Sequence, residues 1–207
     1  MPERGPLLVV VPVPPGGADR RLVLAGSAPG DTLLERALGL GRHLLAAAGD
    51  PGRPVVVDLA DPSPADPTAD GPDGTDVVVV HPLCAFADPD EAVALVRTAL
   101  ADATPAAAVV PVTDTIKRLE RPADLPVVAG TVDRDRLAAA ATPVVLPAGC
   151  LPPGSWARLP LADPASTLVA VLAATGGGTR LVPVGGTARR LHDPDDVSVV
   201  AAVLAAG

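Results

Sequence analysis

The chain has no tyrosine, one phenylalanine and one tryptophan among its 207 residues. An interior without rings must be filled by Val, Leu and Ala, and a hydrophobic content of 48% is enough to do so. The same scarcity argues against recognition of bases by stacking, which needs aromatic platforms. Positive charge is also in short supply. Lys and Arg number 16 against 24 Asp and Glu, a formal net charge of -8. Such a field repels phosphate backbones, so nucleic acid is not an expected partner. A small phosphorylated ligand needs only a local cationic pocket and remains open. Two cysteines, Cys84 and Cys150, are too few for a disulfide framework and are expected to be buried and inert. No apolar run approaches the roughly 20 residues that cross a bilayer. The opening "MPERGPLLVVVPVPPGG" reads as a strand rather than a signal peptide. The chain is expected in the cytoplasm, away from membranes. His43, His81 and His192 stand far apart without metal-ligand spacing, so no resident metal is expected.

What is plentiful is punctuation: 26 prolines and 20 glycines. They fall mainly between apolar runs, and only 60–76, "ADPSPADPTADGPDGTD", is dense enough to read as a mobile loop. The runs "LLVVVPV" (7–13), "RPVVVDLA" (53–60), "DVVVVHP" (76–82), "AAAVVPVT" (106–113) and "TRLVPV" (179–184) are continuous and β-branched. That pattern predicts strands buried on both faces. Helical spacing of Leu and Ala predicts helices over 31–49, 88–103, 163–178 and 193–207. The last three open with Asp-Pro, a start signal, and Glu91 stands three residues after the Asp88 cap. Alternation of the two gives an α/β fold with a mainly parallel sheet, in one domain over 1–207. The region 104–160 breaks the rhythm and reads as an arm or extension. The glycines of "TGGGTRLVPVGG" (175–186) precede a strand and read as helix-to-strand turns. No serine sits in a nucleophile elbow.

The unusual stretch is "PVTDTIKRLE" (111–120), which concentrates Thr113, Asp114, Thr115, Lys117, Arg118 and Glu120 in an otherwise bland chain. Together with Thr131-Val132-Asp133-Arg134 and Thr142-Pro143 it resembles the 2-C-methyl-D-erythritol 4-phosphate cytidylyltransferases. There the pattern runs V-P-V-x-D-T-I-K-R, then T-V-D-R-x-x-L, then T-P-Q. "VVVVHPLCAF" stands where the family has V-H-D-A-A-R-P, and "RRLHDPDDVSVVAAVL" is similar to its K-x-T-x-P-E-D-L helix start. More faintly, residues 9–38 follow the outline of its nucleotide-binding opening. The likeness spans nearly the whole chain and is specific from about 104 to 146.

The resemblance implies a Rossmann-like nucleotidyltransferase fold with an extended β-arm, lying within 104–146, through which two subunits form a homodimer. It implies transfer of CMP from CTP to methylerythritol phosphate, with Mg2+ accompanying CTP if CTP is bound. It carries over Thr115, Arg134 and Thr142 as contacts to the acceptor phosphate. It carries over Arg190, in place of a lysine, and Arg20 or Arg21, in place of the loop arginine, as charge-stabilising groups. The nucleotide loop A-A-G-x-G-x-R survives only as a remnant in Pro14, Gly16 and Gly17. Pro14 and Pro15 remove two backbone donors from the cradle of the triphosphate. Asp19 adds negative charge beside it. Pro82 and Ala85 replace an aspartate and an arginine.

The expectation is therefore a divergent cytidylyltransferase with weak or lost activity, acting on a small phosphorylated ligand. The alternative is a non-catalytic paralogue that serves as a dimeric binding or regulatory partner. Each residue also has a plainer reading. Lys117 and Arg118 would form surface pairs on an exposed ribbon. Arg134 would pair with Asp133 or Asp135. Thr115 and Thr142 would cap turns. His81 would be a core histidine at a strand end.

Overall fold

The computed structural model describes residues 6–13, 32–50, 54–59, 74–120, 126–192 and 194–206. Six strands form the main sheet: β1 (Leu7–Val13), β2 (Val55–Asp58), β3 (Asp76–Val79), β4 (Ala106–Pro111), β7 (Ala138–Leu146) and β8 (Arg180–Pro183). Their spatial order is β2-β1-β3-β7-β4-β8. β5 (Lys117–Glu120) and β6 (Val127–Thr131) form a separate antiparallel hairpin. The helices are α1 (Leu33–Ala48), α2 (Pro89–Ala101), α3 (Pro164–Ala174) and α4 (Pro194–Ala206).

The helix ends follow from short polar side chains. Thr32 Oγ1 accepts from Glu35 N at 3.2 Å, and the Glu35 carboxylate accepts in return from Thr32 N at 3.1 Å. Gly49 closes α1 in the left-handed region at φ 77°, where a side chain would be strained. Asp88 caps α2 through Asp90 N and Glu91 N. Glu91 does not complete a box there. Its carboxylate accepts instead from Gly185 N at 2.8 Å, so a long-range bond wins over the local one.

Period-2 alternation sorts the strands onto two cores. Val9, Val11, Val78 and Val80 pack with α1, α2 and the buried Val197 and Val200 of α4. Val10, Val57, Val77, Val79 and Val144 pack on the other face with Trp156, Leu161 and the Leu168 and Val171 of α3. α1 lies so close to the sheet that a Cβ on Gly41 would stand 2.7 Å from Pro54 Cγ and 3.1 Å from Val9 Cγ1.

The sheet is mainly parallel, as expected, with one reversed strand, and it departs from the expectation in the burial of its outer strands. β7 runs antiparallel to both β3 and β4, so the parallel pairings β1–β2, β1–β3 and β4–β8 flank one reversed strand. β2 and β8 are the sheet's outer strands, and Val56 and Leu181 are 44% and 45% exposed; their apolar runs do not report burial on both faces. The extension is narrower than the sequence suggests. β4 and β7 belong to the sheet, and the β5–β6 hairpin between them is the part that stands apart. Of the loop expected at 60–76, residues 60–73 lie outside the described residues, and Asp76 already belongs to β3. Among the described residues no helix is long and apolar enough to cross a membrane.

Candidate functional site

β1, β2, β3, β4 and β8 all run in one direction, so their carboxyl ends share one edge of the sheet. From β1 the chain goes outward to β2 and returns to β3 on β1's other side. That reversal opens a crevice beyond the carboxyl ends of β1 and β3, where ligands bind in open α/β sheets. Pro14, Gly16, Gly17 and Arg20, expected on its β1 side, lie outside the described residues.

The β3 side is described. After Val80 and His81 the chain makes a 3-10 turn over Pro82–Cys84. Pro82, Leu83, Cys84, Ala85 and Phe86 are all buried. Leu191 N donates to Leu83 O at 2.8 Å, which docks the segment carrying Arg190 against this turn. Arg190 Nε lies 3.4 Å from Asp163 Oδ1, an ion pair that lacks hydrogen-bond alignment. Asp163 is also the cap of α3, accepting from Ser166 N at 2.9 Å and Ser166 Oγ at 3.0 Å. Sequence alone marks Asp163 only as a helix start. A carboxylate that caps a helix with one oxygen and faces an arginine with the other has no signature at the level of spacing.

Thr142 is fully buried on β7 behind this turn. Its Oγ1 accepts from His81 N at 3.0 Å and lies 3.3 Å from Val79 O, to which it donates. The hydroxyl thus satisfies a buried donor and a buried acceptor, each of which costs about 1–3 kcal/mol if left alone. It fastens β7 to the end of β3. His81 is buried, and burial, helped by Arg190 and opposed by Asp163, lowers its pKa to about 4. The imidazole is neutral at pH 7, and its Nε2 has no hydrogen-bond partner among the described residues. That is the core histidine at a strand end. Burial likewise raises the Cys84 thiol to about 12, which keeps it protonated and unreactive. Cys150 differs from expectation in being only half-buried, although burial still lifts it to about 11. For the Asp163 carboxyl, burial pushes upward, but the Ser166 bonds, Arg190 and His81 together hold it below the usual carboxylate value.

Thr115 and Arg134 lie elsewhere, on the arm. With Thr131, Val132, Asp133 and Asp135 they line a pocket of about 330 Å³ that neither Thr142 nor Arg190 reaches. Arg134 Nη1 donates to Thr113 O at 2.7 Å. Asp133 turns to Asp135 N at 3.2 Å, capping the short turn that carries Arg134. The guanidinium is therefore held by backbone at one edge. Lys117 Nζ donates to Thr131 Oγ1 at 2.7 Å, directly across the β5–β6 register. Sequence order places Thr115, Arg134 and Thr142 in one motif; in the fold Thr115 and Arg134 lie on the arm, while Thr142 lies buried in the main sheet.

A family profile described as IspD: 2-C-methyl-D-erythritol 4-phosphate cytidylyltransferase matches residues 70–206. The chain belongs to this cytidylyltransferase family. It is also 33% identical over 201 residues to the bifunctional enzyme IspD/IspF of Anaeromyxobacter dehalogenans (strain 2CP-C), covering 96% of the chain and 46% of that relative. The chain thus spans about half the length of this curated relative. Among solved structures it resembles the 2-C-methyl-D-erythritol 4-phosphate cytidylyltransferase from Thermus thermophilus. That match has a TM-score of 0.65 at 19% identity, covering 96% of this chain and 98% of that one. It is also similar to the bifunctional IspDF from Campylobacter jejuni, with a TM-score of 0.62 at 15% identity, covering 94% of this chain and 54% of that one. The two structures show that the six-stranded sheet and its flanking helices are the fold of cytidylyltransferases.

Proposed function

We propose that this cytidylyltransferase-family chain binds a small phosphorylated polyol, of the methylerythritol phosphate class, and transfers CMP from CTP to it at a strongly reduced rate. The observation that carries the reading is the turn after β3. Where the family pattern places an aspartate and an arginine, this chain packs Pro82 and Ala85 into a buried apolar turn. Arg190 beside it keeps its charge, and its side chain is 38% exposed. Phosphoryl and nucleotidyl transfer rest on positioning and charge neutralisation. The described β3 side of the crevice sets Arg190 beside an apolar floor, which suits a phosphate monoester better than a triphosphate. Among the described residues no cluster of His, Cys, Asp or Glu fits a metal ion. Mg2+ is assigned only as the companion of CTP, and no step is drawn through it. Arg190, oriented by Asp163, supplies a fixed donor to the ligand phosphate, and the neutral His81 adds no competing charge beneath it.

Isothermal calorimetry of the purified chain tests the reading. Methylerythritol phosphate is expected to bind, and Mg-CTP to bind at least about ten-fold more weakly, the equivalent of about 1.4 kcal/mol. Micromolar CTP binding without acceptor binding would reverse the assignment.

The arm supports a second element, a homodimer. Leu119, Val127 and Val128 are 55%, 46% and 63% exposed on a hairpin that makes no pairing with the main sheet. An isolated two-stranded hairpin is marginal in water, so a covering partner accounts for it. A second copy that covers it would also bring Thr115 and Arg134 to a neighbouring crevice. Sedimentation is expected to show a dimer that Val128→Glu dissociates; a monomer for the unaltered chain would remove this element.

A further inference from the structure

Glu91 stands in the first turn of α2, where its spacing from Asp88 calls for a capping box. Half of the box forms: Asp88 Oδ1 accepts from Asp90 N and Glu91 N, both at 2.9 Å. The Glu91 carboxylate does not return to the cap. It reaches 94 residues along the chain and accepts from Gly185 N at 2.8 Å. Gly185 lies just beyond β8, where Val184 N makes its bond to Val109 O at 2.9 Å and the chain leaves the sheet.

From Gly185 to Leu191 the chain forms a strap at the carboxyl edge of the sheet, tied at both ends to other elements. At its head Gly185 N donates to Glu91, and at its tail Leu191 N donates to Leu83 O at 2.8 Å. Between them Ala188 N returns to Gly185 O at 3.0 Å, and Ala188 and Leu191 are buried. Arg190 is the last residue but one, with its Nε 3.4 Å from Asp163 Oδ1. The head of the strap is Gly185-Gly186, and glycine has more backbone freedom to lose than any other residue. The Glu91 bond restrains the strap where its backbone is freest.

We propose that Glu91 is a positioning residue of the crevice: by holding Gly185 it fixes the strap, and so sets the Arg190 guanidinium beside Asp163. The inference rests on the reading of Arg190 as the donor to the ligand phosphate. Glu91 acts through the backbone of the strap and needs no contact with the ligand. A displacement of about 1 Å, passed on from outside a site, can cost about 100-fold in rate. The tie at Leu191 remains when Glu91 is removed, so the expected effect is smaller than that.

Glu91 is exposed, so its variants are expected to fold, and two readouts test them. The first is the nitrogen–proton resonance of Arg190 Nε, identified by its loss in Arg190→Ala. In Glu91→Ala it is expected to move toward its position in Asp163→Asn, which removes the ion pair and keeps a good α3 cap. It should stay in place in Glu91→Gln, which keeps an acceptor for Gly185 N. It should also stay in Asp90→Ala, which removes the neighbouring first-turn charge alone. The second readout is calorimetry with methylerythritol phosphate. Glu91→Ala is expected to weaken binding about ten-fold, the equivalent of about 1.4 kcal/mol, and Glu91→Gln to restore most of it. In an Arg190→Ala background Glu91→Ala should cost nothing further, because the two act as one unit. An unmoved Arg190 resonance in Glu91→Ala would overturn the proposal. So would an equal loss of binding in both backgrounds, which would show that Glu91 acts by another route. If the unaltered chain does not bind methylerythritol phosphate, the phosphate reading alone fails, and the resonance still decides whether Glu91 sets Arg190.

Discussion

Replacing Arg190 with alanine is expected to weaken binding of methylerythritol phosphate by about 10- to 150-fold, the equivalent of about 1.5–3 kcal/mol for losing hydrogen bonding to a charged group. Two losses combine. The ligand phosphate loses its donor, and Asp163, still held on the α3 terminus by Ser166, is left facing it as an unpaired carboxylate. Arg190→Lys keeps the charge without the planar fork and should recover part of the affinity. Calorimetry on the three proteins reads the order directly. Equal binding by all three would show that Arg190 does not touch the ligand and would leave the phosphate to the arm.

The second large effect is on stability in acid. His81 titrates near 4 in the fold against an ordinary value of 6.5, with burial as the leading cause. Above pH 6.5 neither the folded nor the unfolded chain protonates this ring, and the full stability is present. Between 6.5 and 4 the unfolded chain takes up a proton that the fold refuses, so stability falls as pH falls. The loss is of the order of 3 kcal/mol at pH 4, and about 2 at pH 5, because each pH unit below the ordinary value costs about 1.36 kcal/mol. That is a large share of the roughly 5–15 kcal/mol typical of a domain. Asp163 contributes at lower pH: its stabilisation is present above the ordinary carboxylate value and is lost as pH falls through the lowered one. Urea unfolding at pH 7 and pH 5 separates the two. His81→Leu, which replaces a ring whose Nε2 has no partner by a side chain that needs none, should flatten the profile between those pH values. A drop of the same size in the leucine variant would assign the acid sensitivity elsewhere.

Much of the fold is legible in the sequence because aliphatic residues in this chain do little besides pack. Runs such as "LLVVVPV" form β1, and the Asp-Pro starts at Asp88 and Asp163 form helix caps. The reversal of β7 is not legible, because "TPVVL" carries the same β-branched signal whether its neighbours run parallel or antiparallel. The edge positions of β2 and β8 are hidden for a related reason: an apolar run reports a strand, while its place in the sheet is set by crossovers far along the chain. At the site, sequence names the side chains and misses their partners. Spacing and resemblance offer Thr142 as a ligand contact or a turn cap. Its hydroxyl instead spans two backbone groups of β3's end, a use that only the long-range pairing of β3 with β7 creates. For Arg134 the chain offers its neighbours Asp133 and Asp135, yet the guanidinium goes to the Thr113 carbonyl. Asp163 is hidden as Arg190's partner because capping already explains it. Local chemistry is readable; charges that find each other across the fold are not.

Pyrophosphate release from Mg-CTP in the presence of methylerythritol phosphate decides whether the crevice has lost most of its chemistry. The comparison is a family member that carries the intact A-A-G-x-G-x-R loop. Each missing charge-stabilising group costs about 100- to 1000-fold, so turnover by this chain is expected at least about 1000-fold below that relative. Turnover within about ten-fold of it, the span of about 1.4 kcal/mol, would refute the reduced-rate reading. It would mean that the apolar turn at Pro82 and Ala85 does not cost the crevice its chemistry.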